Sequence, residues 1–233
     1  MAVEYIWFDL GYTLLYNERE KLFDQLVTSR GHRLDESKIE LAFHAIDKKF
    51  MREYPGLLGS PAKKFMPRYF ALLCERLGID GDLTSFLEQW LKAWEEKRLE
   101  WLVYPFAPGL LEALKSRGFR LGVISNWDSS ARHILARQGI LEFFDTVVIS
   151  SEVGVAKPER KIFEIALEKA SVQAATCLYV GDNYYDDAVG ASSVGMGYKI
   201  INRFGTFGVE ELDSSILIRD VTELLPYVEK ERR

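Results

Sequence analysis

Two kinds of hydrophobic pattern divide this chain. Residues 3–8 are apolar and aromatic apart from Glu4, which is typical of a strand buried inside a parallel sheet. From about Tyr104 onward, similar short runs alternate with segments whose apolar residues recur every three or four positions, as in a helix. Strands that alternate with crossover helices predict an α/β fold with a parallel sheet covered on both faces. The later predicted strands are FRLGVISN, DTVVISSE, TCLYVGD, MGYKIINR and ILIRD.

The block between the first and second strands is helical throughout. Residues 17–102 carry apolar positions at helical spacing, separated by charged faces, and contain no convincing strand. About four helices are predicted, with Gly31 and Gly78 as C-terminal caps and Ser37 and Asp82 as N-terminal caps. Short loops between them indicate an antiparallel bundle.

This helical block is an insertion into the α/β pattern. The sequence therefore predicts a core made of residues 1–16 and 103–233 and an α-helical bundle cap at residues 17–102. A bundle inserted next to the strand that bears Asp9 would lie over the carboxyl ends of the strands, as a lid does.

Composition narrows the class of protein. The chain has 233 residues, 48% of them hydrophobic, and a net charge of -5 that comes from interspersed acids and bases. This pattern predicts neither a nucleic-acid partner nor a membrane partner. The chain has no apolar run of the roughly 18 residues that a membrane span needs and no secretory leader pattern, so we expect a cytoplasmic protein. Cys74 and Cys177 lie in apolar contexts and are predicted to be buried free thiols.

Polar side chains follow the predicted core strands at their carboxyl ends, and in a parallel sheet these ends converge on one crevice. The residues in question are Asp9, Ser125, Asn126, Lys157, Asp182 and Asp187. Taken alone, Asp9 fits the N-cap of a following helix equally well. Together the group supplies a nucleophile, a phosphate clamp and oxygen ligands of the kind that Mg²⁺ prefers.

These segments, in this order and each after a predicted strand, resemble the four signature motifs of the haloacid dehalogenase superfamily, in the group whose cap is inserted after the first motif. The resemblance covers essentially the whole chain and implies a Rossmann-like core. It implies that Asp9 is a nucleophile, with Thr13 in the same motif, that Ser125 and Asn126 hold a phosphoryl group, and that Lys157 bridges nucleophile and phosphate. The metal ligands that it implies are Asp9, Gly11, Asp182 and Asp187. The expected activity is Mg²⁺-dependent hydrolysis of a small phosphomonoester through an aspartyl-phosphate, by a monomer or homodimer.

The sequence departs from the family pattern beside the nucleophile. Most phosphatases of the superfamily carry a second Asp two residues after it, where this chain has Gly11, and Tyr12 stands where Gly is usual. Since positioned proton transfer is typically worth about 10²- to 10⁴-fold in rate, esters with poor leaving groups should be slow substrates. Tyr12 is a candidate substitute donor, and the alternative is that its ring packs against the cap.

Other reactions stay open. Hydrolytic dehalogenation needs no such acid, but enzymes of that kind usually lack the equivalent of Asp182 and tend to place Tyr where this chain has Phe163. Phosphonate cleavage in the family uses a cap lysine, for which Lys48 and Lys49 are candidates, although a lysine pair on a helix is usually a solvated face. A member that binds a phosphorylated ligand or a partner without turnover is the third alternative.

Two acids compete for one role in the last motif. Neighbouring helical residues point about 100° apart, so only one of Asp186 and Asp187 can easily face a metal. The spacing from Asp182 favours Asp187. Asn183 either forms supporting hydrogen bonds or shapes the turn.

Overall fold

A six-stranded parallel sheet carries the fold. The computed structural model describes residues 3–60, 62–97 and 99–231. The strands lie in the order β5-β4-β1-β6-β7-β8. They span Tyr5–Phe8 (β1), Arg120–Ser125 (β4), Thr146–Ile149 (β5), Cys177–Gly181 (β6), Gly197–Ile201 (β7) and Leu217–Ile218 (β8). The predicted α/β class with a parallel sheet is confirmed, and the first predicted strand lies near its centre.

Helices precede β4, connect β4 to β5, β5 to β6 and β6 to β7, as parallel pairing requires, and one more follows β8. They are Ala107–Ser116 (α5), Ala131–Arg137 (α6), Ser150–Val153 (α7), Arg160–Ala170 (α8), Val189–Val194 (α9) and Leu224–Glu231 (α10). The predicted last helix also included Arg232 and Arg233, which lie outside the described residues. Residues SSE, predicted as the end of the strand DTVVISSE, lie in α7 instead.

The centre of the sheet is packed around β1, whose four residues are fully buried. The rings of Tyr5 and Trp7 stack at 4.4 Å. Gly122 on β4 makes room for them, because a Cβ there would lie 2.4 Å from the Trp7 ring. The glycine therefore allows two large aromatic side chains inside the sheet core, where close packing leaves little free volume.

The chain leaves and re-enters this unit through a two-stranded antiparallel ribbon. Leu15–Tyr16 (β2) pairs with Leu102–Val103 (β3), and the Tyr16 and Tyr104 rings stack at 4.8 Å. Residues 1–16 and 102–233 accordingly form one compact unit and residues 17–101 another. The ribbon was missed in the sequence because two residues are too few to show a strand period.

The second unit is helical. Its helices are Arg19–Ser29 (α1), Glu36–Glu53 (α2), Met66–Leu77 (α3) and Leu83–Lys97 (α4), with short 3₁₀ turns at Leu57–Gly59 and Ala62–Lys64. Their apolar faces meet in a core of fully buried aromatic rings, among them Phe23, Phe43, Phe70, Phe86 and Trp90. Among the described residues, no helix of either unit is long and apolar enough to cross a membrane.

The predicted caps of this unit are mostly confirmed. Gly31 and Gly78 take the left-handed conformation just after their helices, and Asp82 accepts a hydrogen bond from the Ser85 N–H at 3.0 Å. The prediction for Ser37 was wrong, because α2 begins at Glu36 after Asp35. Asp35 and Ser37 are both residues that favour an N-cap and lie two positions apart, so the sequence could not separate them.

Candidate active site

The carboxyl ends of β1, β4 and β6 bring the predicted site residues together. In the parallel register, Phe8 pairs with both Val123 and Val180. Asp9 directly follows β1, and its N–H donates to the Val180 carbonyl at 2.9 Å. Asp9 and Asp182 therefore follow β1 and β6, and Ser125 ends the neighbouring β4, all at the same edge of the sheet, where open α/β sheets bind ligands.

Asp9 forms an ion pair with Lys157. The distance from Lys157 Nζ to Asp9 Oδ1 is 2.9 Å, and the two side chains are 3% and 13% exposed. The partial exposure belongs to the carboxylate, so this group can meet a ligand while the ammonium stays buried. Two residues predicted from separate motifs thus lie in direct contact.

The backbone of Lys157 is held by Asn126. The Asn126 amide nitrogen donates to the Lys157 carbonyl at 2.9 Å, and its oxygen accepts the Lys157 N–H at 2.7 Å. This two-point clamp ties the loop after β4 to the loop that carries the lysine. The resemblance assigned Asn126 to the phosphoryl group, whereas its visible bonds position Lys157.

The Asp9 carboxylate of this ion pair also belongs to a cluster of three carboxylates. Asp9, Asp182 and Asp187 each offer an oxygen atom, and these atoms lie within 4.8 Å of one another. Hard oxygen donors at such spacing suit a divalent cation such as Mg²⁺. The donor set fits the predicted metal.

Asp187 has a second task in this cluster. Its Oδ1 accepts from Lys157 Nζ at 2.6 Å and its Oδ2 from the Asn183 N–H at 2.9 Å. Asp186 instead accepts from the Asn183 amide at 2.8 Å. The structure thus places Asp187, rather than its neighbour, in the acidic cluster, and Asn183 both shapes the turn and supplies hydrogen bonds.

Local backbone geometry creates the place for Asp187. A π-helical turn at Tyr184–Ala188 follows Asn183, whose side-chain oxygen accepts the Tyr185 N–H at 3.1 Å. Gly181 leaves the space that the carboxylate fills, since a Cβ there would lie 2.0 Å from Asp187 Oδ2. π turns of this kind occur frequently at functional sites.

Burial and charge set the protonation of the site. Burial by itself would lower the pKa of Lys157, but the charges of Asp187 and Asp9 outweigh it and hold that pKa well above the usual lysine value. Burial raises the pKa of Asp187, and the Lys157 charge opposes this effect. Burial, followed by the charge of Asp187, raises the pKa of Tyr179 well above its usual value, so that its hydroxyl is neutral.

The loop after Asp9 is a tight turn. The N–H groups of Leu14 and Leu15 both donate to the Leu10 carbonyl at 2.9 Å. Tyr12 has a φ of 53°, which is uncommon for a residue other than glycine. This left-handed conformation gives a physical reason why glycine is usual at the position.

Of the remaining predicted residues, Gly11 and Thr13 lie in the loop after Asp9, and Ser125 lies in β4. Gly11 bridges to Leu15, and Ser125 is the buried last residue of β4. Thr13 is 1% exposed, and its Oγ1 has no hydrogen-bond partner among the described residues. A buried hydroxyl without a partner costs free energy, which is a common feature of sites that act on a ligand.

One residue of this cluster was missed by the sequence reasoning. Tyr179 on β6 places its hydroxyl 3.0 Å from Lys157 Nζ and 3.2 Å from Asp187 Oδ1. The only signal in the sequence is its position three residues before Asp182, on the strand that leads into the acidic motif. A tyrosine in a predicted buried strand is usually read as core.

Lys48 and Lys49 of the helical unit have different environments. Lys49 is paired with Glu53 at the surface. Lys48 is 5% exposed, so the expectation that both lysines form a solvated face was wrong for Lys48. The α2 helix buries a broad stripe that includes this position.

Comparison with known proteins identifies the family. The haloacid dehalogenase-like hydrolase family model matches residues 6–195. The chain belongs to this family and is a hydrolase, and the resemblance inferred from the four motifs is confirmed.

Named relatives include proteins with phosphatase names. The chain is 39% identical over 116 residues to haloacid dehalogenase-like hydrolase domain-containing protein 3 of Mus musculus. It is 40% identical over 105 residues to glyceraldehyde 3-phosphate phosphatase of Methanothermobacter thermautotrophicus. These matches cover 50% and 42% of this chain and 44% of each relative, so the chain matches less than half of their length.

Solved structures agree in fold over nearly the whole chain. A haloacid dehalogenase phosphatase from Thermococcus onnurineus is 25% identical, with a TM-score of 0.58 and 98% of both chains covered.

Proposed function

We propose that this protein is a Mg²⁺-dependent phosphatase that hydrolyses a small phosphomonoester through an aspartyl-phosphate at Asp9. The observation that carries the proposal is the partly exposed Asp9 carboxylate, paired with Lys157 inside a cluster of three carboxylates. The phosphatase name of one relative supports the substrate class.

In the first step, an Asp9 oxygen attacks phosphorus. A phosphorus–oxygen bond forms to the carboxylate as the bond to the leaving oxygen breaks, and that oxygen takes up a proton from solvent water. Lys157 stays an ammonium throughout and reduces the repulsion between the carboxylate and the incoming phosphate. Its burial strengthens this effect, because charges interact more strongly away from water.

In the second step, water attacks the phosphorus of the acyl phosphate. Inorganic phosphate leaves, and the Asp9 carboxylate is restored. Ser125 and Thr13 are assigned to the phosphoryl oxygens, since Ser125 ends the strand next to β1 and Thr13 lies in the loop after Asp9. Asn126 contributes by holding the Lys157 backbone in place.

Mg²⁺ would be held by Asp9 and Asp182, with Gly11 and Asp187 in the positions that complete the ligand set, and it would neutralise negative charge on the phosphate. Asp187 also holds the Lys157 ammonium. The helical unit, inserted directly after the Asp9 loop, is assigned to substrate selection as a cap.

The test is to trap the intermediate. Enzyme mixed with an aryl phosphate and Mg²⁺ is quenched in acid during turnover, digested and examined by mass spectrometry. We expect the peptide that contains Asp9 to gain the mass of one phosphoryl group.

Asp9→Asn is the matched variant. It should lose about 10³-fold or more in kcat and show no labelled peptide, with an unchanged circular dichroism spectrum, because the amide is a poor nucleophile. Retained turnover in folded Asp9→Asn would contradict the mechanism.

A further inference from the structure

Tyr179 lies beneath the ion pair, in a place that none of the four motifs explains. It is fully buried on β6, and its hydroxyl oxygen has three polar neighbours. These are the Ile124 carbonyl at 2.7 Å, Lys157 Nζ at 3.0 Å and Asp187 Oδ1 at 3.2 Å.

The direction of these hydrogen bonds follows from the protons available. A phenol has one proton, and the Ile124 carbonyl is the nearest acceptor, so the hydroxyl donates there. Lys157 can only donate, and therefore the hydroxyl oxygen accepts from the ammonium. Tyr179 thus joins the β4 backbone to the head of the lysine.

Lys157 has three N–H donors and three oxygens within 3.0 Å. They belong to Asp187 at 2.6 Å, Asp9 at 2.9 Å and Tyr179 at 3.0 Å. The two carboxylates compete for the ammonium, and the shorter contact is to Asp187. Without the neutral third partner, the ammonium could shift towards Asp187 and away from Asp9.

The Tyr179 ring is itself held in place. The Phe163 ring meets it edge-on, with centroids 5.5 Å apart. Phe163 in turn lies so close to α9 that a Cβ on Gly190 would be 2.2 Å from its ring. The Tyr179 ring is consequently held by packing as well as by its hydrogen bonds, as precise positioning requires.

We propose that Tyr179 is a positioning residue that holds the Lys157 ammonium against Asp9. The catalytic consequence rests on the proposed phosphatase function, whereas the positioning itself is a property of the folded protein. Tyr179 touches no reacting atom and acts through Lys157.

The test compares Tyr179→Phe with Tyr5→Phe. Tyr5 is the matched control, because it is also fully buried in the sheet and its hydroxyl donates to a backbone carbonyl, that of Leu121, at 3.1 Å. Both variants lose one buried hydroxyl, but only Tyr179 contacts Lys157.

With an aryl phosphate and Mg²⁺, Tyr179→Phe should lower kcat about tenfold and change KM less than about twofold. The loss of kcat corresponds to the loss of one hydrogen bond to a positioned group. Tyr5→Phe should leave both constants within about twofold of wild type. An equal loss of kcat in the two variants, or no loss in Tyr179→Phe, would overturn the proposal.

A second readout does not depend on turnover. In ¹⁵N-detected spectra of the lysine ammonium groups, Lys157 should give a slowly exchanging signal that is absent from Lys157→Met. This signal should broaden through faster exchange in Tyr179→Phe and persist in Tyr5→Phe. An unchanged signal in Tyr179→Phe would overturn the positioning role, even if wild-type enzyme released no phosphate and the proposed function had failed.

Discussion

Each unit of this protein buries an aspartate, a cation and a tyrosine hydroxyl in one hydrogen-bonded group, and the two groups differ in how the charges are shared. In the helical unit, Arg19 bonds both oxygens of Asp47, and Tyr69 donates to Oδ1 at 2.7 Å. In the core unit, the Lys157 ammonium is shared between Asp9 and Asp187, beside Asp182.

The comparison separates a structural pair from a site built for a ligand. A bidentate arginine satisfies one carboxylate and fixes its geometry. Three carboxylates that lie within 4.8 Å of one another repel, and such an arrangement is relieved by a bound cation. The Arg19–Asp47 group stabilises the fold. We expect the carboxylate cluster to lower the stability of the metal-free protein and to serve metal binding and catalysis.

The largest effect should come from removing one acid of each group. Asp182→Asn should lower Mg²⁺-dependent turnover about 10²- to 10³-fold and abolish the rise in Tm that Mg²⁺ gives the wild type. Asp47→Asn should instead lower the free energy of unfolding by about 2 kcal/mol, because Arg19 loses the negative charge of its bidentate partner while its ion pair with Glu20 stays in place.

Thermal denaturation with and without Mg²⁺, together with steady-state kinetics, checks both variants. Asp47→Asn should keep a positive Mg²⁺ shift in Tm. A Mg²⁺ shift that survives in Asp182→Asn would remove this residue from the metal site.

Gly181→Ala tests whether Asp187 needs the space beside β6. The new Cβ would overlap Asp187 Oδ2, so the carboxylate must move and its contact with Lys157 through Oδ1 must change. A displacement of this kind can cost about 10²-fold in kcat. Gly197→Ala on β7 is the control, since its nearest neighbour would be at 3.6 Å, an ordinary contact.

The measurement is kcat of the folded Gly181→Ala and Gly197→Ala variants. Equal rates in the two variants would show that the position of Asp187 is unimportant for turnover.

Gly11→Asp should add a proton donor beside Asp9. It should therefore change catalysis in the core unit and leave the Arg19–Asp47 group of the helical unit unaffected. We expect phosphatase activity on an alkyl phosphate to rise about tenfold or more, since positioned proton transfer contributes about 10²-fold or more when well aligned. An aryl phosphate should gain less, because its leaving group needs little protonation. No gain in a well-folded variant would mean that a substitute donor already operates or that the new carboxylate is misplaced.

The smallest effect concerns a third pair, Asp145 with Lys115, which lies near the surface. Partial burial opposes ionisation of Asp145, but its bonds to Lys115 and to the Leu121 N–H outweigh this and lower the pKa of Asp145. A lowered pKa adds stability above the pKa of the unfolded state, and this contribution is lost as pH falls through the folded value.

Asp145→Asn should therefore cost about 1 kcal/mol at neutral pH, and the cost should shrink below about pH 3.9, the ordinary aspartate value. Urea denaturation at neutral and acid pH measures it. A cost that grew on acidification would have the wrong sign for this pair.

Much of this fold follows from patterns that are local in the sequence. Buried runs such as residues 3–8 predicted the parallel sheet correctly, and the helical spacing after residue 17 predicted four helices where α1 to α4 lie, although Leu102 begins β3. The β2–β3 ribbon was missed, since two-residue strands have no readable period. The π turn at Tyr184–Ala188 was also missed, because it depends on how Asn183 and Asp187 pack against Gly181.

The sequence predicted those site residues that have a characteristic side-chain type at a recognisable position in the chain. Asp9, Lys157, Asp182 and Asp187 lie together because parallel strands end at one edge of the sheet. The clamp made by Asn126 and the contact of Tyr179 with Lys157 are relations between distant segments, and no spacing in the sequence encodes them.

The most direct measurement is hydrolysis of an aryl phosphate with and without Mg²⁺, alongside halide release from a 2-haloacid by the same preparation. We predict phosphate release that depends on Mg²⁺ and no halide release. Metal-independent halide release without phosphate release would contradict it and assign the Asp9 carboxylate to attack on carbon.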